Sequence, residues 1–245
     1  MALTKIGTPF KQNPSMPAGD SYSHVDKHYH PSGLHGYLLV CLIIDSTSTI
    51  PAVSFGSTVM EQVSMTTPAN SSTRQYIYGL KEPPVGSYNI NLTLDGQSAG
   101  KALSTFAQSF SGCGGVNPNN IYSYGRAVSP GSVEWVYVYH SRNINLEYNK
   151  SMIFTIGSNS QGPASVKIDG TITLSGEFDI PTSHMTAPST SIIGGEISSV
   201  IDTGGEKTIE WVTTHSSFPI TNSAFEIMEW RAQTTSFPHQ VYLIN

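Results

Sequence analysis

The densest chemistry in the chain is the segment His24-Val25-Asp26-Lys27-His28-Tyr29-His30, followed by His35. In an extended strand successive side chains alternate, so positions 24, 26, 28 and 30 share one face. Their imidazoles and carboxylate would then suit Zn²⁺, Ni²⁺ or Fe²⁺. His28 and His30 are the candidate ligand pair. The spacing closes no four-ligand set, so the favoured expectation is no metal and no cofactor, with the histidines contacting a neighbouring subunit or water. A second candidate is the run Trp135, Tyr137 and Tyr139. These aromatics alternate with Val136 and Val138 and could stack on sugar rings, but a strand apolar on both faces belongs more often in a core. Tyr76 and Tyr78, with Ile77 between them, read the same way. Glycan hydrolysis would need paired carboxylates. Glu177 with Asp179, or Glu196 or Glu226 with a partner from another strand, could supply them, yet nothing in the spacing selects one pair. The chain carries no HExxH, Walker loop, strand-borne GxGxxG or EF-hand pattern. No catalytic residue is assigned, and the expectation is a protein that is not an enzyme.

The elements that must position these residues read as strands. Of the 245 residues only 12% are charged, 12 Lys+Arg against 17 Asp+Glu for a net charge of −5. Ordinary domains carry about 25%. The deficit is filled by Ser, Thr, Asn and Gly, and no basic footprint for nucleic acid is present. The longest apolar run, Leu38 to Ile44, falls well short of the roughly 18 residues of a spanning helix, so membrane insertion is not expected. Short segments rich in Val, Ile, Tyr, Phe and Thr are broken roughly every 8 to 15 residues by Gly, Pro, Asn or Asp, which is the all-β pattern. Strands are predicted at 36–45, 52–55, 58–65, 74–80, 87–94, 102–110, 132–140, 151–156, 165–174, 191–200, 207–214, 224–231 and 240–244. Glu82-Pro83-Pro84-Val85-Gly86 and Asp202-Thr203-Gly204-Gly205 read as reversals.

Before the strands, residues 1–31 carry Pro9, Pro14, Pro17, Gly19 and Pro31, which disfavour helix and paired strand alike. They read as an extended N-terminal arm, with Phe10, Met16, Tyr22 and Tyr29 as the apolar residues that would anchor it on a partner. Residues 32–245 read as an antiparallel, jelly-roll-like β-sandwich. A linker or a long loop over 112–131 leaves two sandwiches open, although one is preferred. Cys41 sits in an apolar strand and Cys113 in a glycine-rich loop. They read as two free thiols, with a single bridge between them left open.

The order Tyr37-Leu38-Leu39-Val40-Cys41-Leu42-Ile43-Ile44, Val53-Ser54-Phe55-Gly56-Ser57-Thr58-Val59-Met60, Arg74-Gln75-Tyr76-Ile77-Tyr78-Gly79-Leu80, Pro83-Pro84-Val85-Gly86, Tyr88-Asn89-Ile90-Asn91-Leu92-Thr93-Leu94 and Ser109-Phe110-Ser111-Gly112 resembles an all-β module of bacteriophage virion-surface proteins. Thr208-Ile209-Glu210-Trp211 and Ala224-Phe225-Glu226-Ile227-Met228 look like its closing strands. Met1-Ala2-Leu3-Thr4-Lys5-Ile6-Gly7-Thr8 is similar to the opening of phage tail-fibre-like proteins, but the continuation departs from theirs. A His-x-His pair repeated about a threefold axis also resembles an arrangement in phage needle and fibre proteins. The resemblance implies a sandwich fold and a place on the virion, assembled in the host cytoplasm, and it implies no reaction. Within that class the expectation is a homo-oligomeric capsid decoration protein that binds other virion proteins. The alternative is a tail or fibre component that recognises a host receptor or surface glycan.

Overall fold

The computed structural model describes residues 3–12, 21–32, 35–45, 52–66, 73–95, 103–127, 137–147, 151–159, 164–168, 171–172, 178–179, 192–197, 204–214 and 222–233. All regular structure among them is strand: β1 (Thr4–Gln12), β2 (Ser21–His30), β3 (Tyr37–Asp45), β4 (Val53–Phe55), β5 (Thr58–Val59), β6 (Glu61–Thr66), β7 (Thr73–Lys81), β8 (Gly86–Asp95), β9 (Leu103–Ser111), β10 (Cys113–Ala127), β11 (Tyr137–Leu146), β12 (Met152–Asn159), β13 (Ala164–Ile168), β14 (Thr171–Ile172), β15 (Phe178–Asp179), β16 (Ile192–Ile197), β17 (Gly205–Thr214) and β18 (Asn222–Ala232). The all-β expectation is met.

Among the described residues the strands form four antiparallel sheets. Sheet I has the order β1-β9-β3-β7-β6 and sheet II β2-β8-β4-β5; sheet III runs β10-β18-β12-β16-β15 and sheet IV β11-β17-β13-β14. Among the described residues no ladder crosses Gly112, so the strands before and after it build separate sheet pairs. The strands on either side of Gly112 thus form two stacked units, at the place where a subdivision was left open. The stretch 113–127, read as linker or loop, is strand β10. Two backbone bonds pin the crossing: Cys113 N–H donates to His35 O at 3.2 Å and Gln233 N–H to Gly112 O at 2.7 Å.

Sheet I is buried on both faces, which explains why β3 is a continuous apolar run rather than an alternation. Leu38, Val40, Leu42 and Ile44 face sheet II, packing with Val53, Phe55, Ile90 and Leu92. Tyr37, Leu39 and Cys41 face sheet III, packing with Cys113, Met152, Met228 and Trp230. Trp230 stacks on Phe110, centroids 5.6 Å apart, and meets Tyr37 edge-on at 4.9 Å. The reversal at 82–86 carries the chain from β7 in sheet I to β8 in sheet II. It is an arch between layers and not a hairpin, with Glu82 and Gly86 both at positive φ.

The proline-rich start is extended, as expected, and yet paired. β1 is an edge strand on β9, and β2 is an edge strand on β8. Pro9 falls in the register shift between Ile6 and Phe10, where a missing N–H breaks no ladder bond. Residues 4–12 and 21–30 therefore lie on the chain's own sheets, and Leu3 is fully buried among Tyr37, Phe106 and Trp230.

Candidate functional site

β2 presents His28 and His30 inward. Both are buried, at 4% and 1% exposure, and both reach across to sheet I. His28 Nε2 lies 3.0 Å and His30 Nδ1 2.8 Å from the same atom, Ser109 Oγ on β9. A hydroxyl has one proton and two lone pairs, so with both imidazoles neutral Ser109 can donate to one ring and accept an N–H from the other, which links their tautomers. Burial pushes the His28 pKa down to about 4, reinforced by the neighbouring His30. Burial also lowers that of His30, against an opposing pull from the Glu82 carboxylate. Gly36 makes room for the pair, since a Cβ there would stand 2.9 Å from His30 Nε2.

The His-x-His pair on one strand face is thus as expected, but its partner is a serine hydroxyl. Among the described residues no group of three or more His, Cys, Asp or Glu side chains is placed to hold a metal ion. The side chains of His24 and Asp26 lie outside the described set. His35 sits at positive φ beside Glu82, 3.6 Å from its carboxylate, in an exposed contact at the arch.

A second cluster was not visible in sequence. Glu229 on β18 is wholly buried, and it accepts from Asn117 Nδ2 at 2.8 Å, Ser151 Oγ at 2.6 Å and the Glu147 backbone N–H at 3.3 Å. Asn117 also donates to Glu147 Oε2 at 3.0 Å. Residues from β10, β12's leading edge, β18 and the end of β11 are fastened together, tying sheet III to sheet IV. Three donors leave this carboxylate well satisfied, as a structural fastener requires.

A third feature is an open cleft of about 350 Å³ where the two units meet. Tyr37, Glu61 and Lys81 line it from the first unit, Gly115 and Arg231 from the second. Lys81 and Arg231 both bear electrostatically on the Cys113 thiol, yet burial dominates and lifts that thiol to about 12. Cys113 also accepts the Gly115 N–H at 3.3 Å. Both cysteines are free and buried, so the loop thiol of the sequence reading is a core thiol.

The remaining candidates fall as follows. Tyr76 and Tyr78 are buried and stacked at 6.4 Å in the core between sheets I and II, as the core reading required. Tyr137 and Tyr139 pair with Thr214 and Val212, while Trp135 lies outside the described residues. Glu177 also lies outside them; Asp179 pairs with Gly194. Glu196 and Glu226 flank β12 opposite consecutive residues, Thr155 and Ile156, so the register puts the two positions on opposite sheet faces. Of the arm residues, Phe10 pairs with Ala107 and Tyr22 with Leu94, Met16 lies outside the described residues, and Tyr29 is 57% exposed on the outer face of sheet II.

No protein-family model and no curated protein matches the chain. Among solved structures it is similar to the major capsid protein P2 from bacteriophage PM2. The likeness spans 93% of this chain and 99% of that one at 10% identity, with a TM-score of 0.26. Backbones that superpose so loosely carry no functional inference.

Proposed function

We propose that the protein is a non-enzymatic structural component of a bacteriophage particle, a capsid decoration protein that binds neighbouring virion subunits in several copies. The observation that carries this reading is the use made of the reactive side chains. His28, His30, Cys113 and Glu229 are all buried and hydrogen-bonded within a stack of sheets, where they serve cohesion. The low charge content of the chain, and the sequence resemblance to virion-surface modules, agree with it. With residues 4–12 and 21–30 folded onto the chain's own sheets, the contact to a neighbour passes to the outer face of sheet II, where Tyr29 stands exposed. Repetition over a symmetric lattice would multiply such weak contacts. Mass spectrometry of separated heads and tails, with the protein's density located in particle images, tests the proposal. Recovery with heads supports it, and absence from particles overturns it.

The cleft favours a second reading, a tail or fibre component that binds host glycan. Its volume is at the small end of ligand sites, about 300–1,000 Å³, and it combines two cations, a carboxylate and a tyrosine at a junction between units. Saturable binding on a glycan array, lost in Lys81→Ala, would favour it over decoration.

A further inference from the structure

We propose that β2 is a releasable strand, latched to sheet I by the His28–Ser109–His30 bridge, and that protonation of the two imidazoles opens the latch while the rest of the fold stays closed.

Among the described residues β2 stands at the edge of sheet II and pairs only with β8, so its departure breaks no other ladder: β8 keeps β4, and β9 keeps β1 and β3. Its neighbour in sequence is anchored differently. β1 is held by Leu3 in the core and by Gln108 Nε2, which donates to Ile6 O at 3.0 Å. On β2 the inward side chains at 28 and 30 are imidazoles, and their attachment to the opposite sheet is the single hydroxyl of Ser109. Removing them from their site therefore sacrifices less apolar burial than removing a strand of the β3 type.

Counting protons gives the trigger. In the neutral bridge one ring donates to Ser109 and the other accepts from it. A proton added to the accepting ring leaves two N–H groups facing one oxygen, and the Ser109 proton loses its acceptor. A second proton puts two cations within one hydroxyl's span in a buried site. The surroundings offer little relief. From β4 the nearest ring to His28 is Phe55, at 6.2 Å. From β9 the residues that share the face of Ser109 are Ala107 and Ser111, neither of them charged. From the β7–β8 arch comes Glu82, which favours the His30 cation but is itself exposed and 3.6 Å from His35. One exposed carboxylate cannot balance two buried imidazolium ions. Release moves both rings into water and leaves the edge of β8 with unpaired backbone groups, a template for another extended segment.

This inference concerns the isolated chain, so its failure would leave the virion assignment intact, and failure of that assignment would leave it intact. Hydrogen exchange of the purified protein at about pH 7.5 and about pH 5 tests it, these values lying on either side of free histidine. Protection factors for amides of residues 21–30 should fall at least about tenfold at the lower pH relative to those of β3 and β9. The double variant His28→Gln/His30→Gln, uncharged at both values, should hold its β2 protection constant. Ser109→Ala should expose β2 already at the higher pH. Unchanged β2 protection in the native protein, loss shared equally by β3, or an acid loss that persists in the glutamine variant would each overturn the proposal.

Discussion

At the residue scale, the buried histidines set an acid limit on stability. The folded-state pKa of His28 is about 4 against an ordinary 6.5, so as pH falls the unfolded chain takes up its proton first. The contribution of this residue to stability is therefore flat above about pH 6.5, declines between there and about pH 4, and levels off below, a loss on the order of 3 kcal/mol. Urea midpoints measured across that range check the direction; a midpoint that rises on acidification contradicts it. The Glu229 cluster makes a separate claim. Asn117→Ala removes the amide that bridges two carboxylates and should cost about 1–3 kcal/mol by leaving a buried acceptor short of a donor. Cys113 should be inert to a thiol reagent near neutral pH in the folded protein and react on unfolding, because a thiol lifted to about 12 presents almost no thiolate.

These residues also show what the sequence made legible. Alternation correctly placed His28 and His30 on one face of an extended segment, since period 2 needs only local geometry. That their partner is Ser109, about eighty positions on, depends on how sheets I and II stack, which no local pattern encodes. Asn117 and Glu229 were missed for the same reason: each is an ordinary polar residue until β10 and β18 pair.

At the element scale, most interior strands were readable, while the edge strands β1, β2 and β10 were not. β3, β7, β8 and β9 are broad apolar or alternating runs, and each matches its predicted span to within a residue or two. β1 and β10 were read as arm and as linker because Pro9 and Pro118 ordinarily bar pairing. Both prolines sit in register shifts, between Ile6 and Phe10 and between Val116 and Ile121, and both strands are sheet edges. There a missing donor costs little. The packing of β7 on β3 can be tested directly. A Cβ at Gly79 would run into the Tyr37 hydroxyl, so Gly79→Ala should destabilise by about 1–3 kcal/mol, read as a lowered Tm.

At the scale of the whole molecule, the two units share one core. The face of sheet I that carries Tyr37, Leu39, Cys41, Phe106 and Phe110 is covered by sheet III. Residues 1–111 produced alone should therefore aggregate or bind a hydrophobic dye, while the full chain should unfold in one calorimetric transition. Two separated transitions, or a soluble monomeric half, would mean that the shared core contributes little.

The double-sided burial of β3 has a further consequence for how this chain can diversify. In a strand with one wet face, every second position is free to drift, and substitutions spread in a picket-fence pattern. From Tyr37 to Leu42 both parities are dry, so a saturation library selected for folding should return an unbroken block of intolerance six codons long. Sequence novelty in such lineages would accumulate at the rims and arches, leaving this strand as the slowest-changing stretch of the gene.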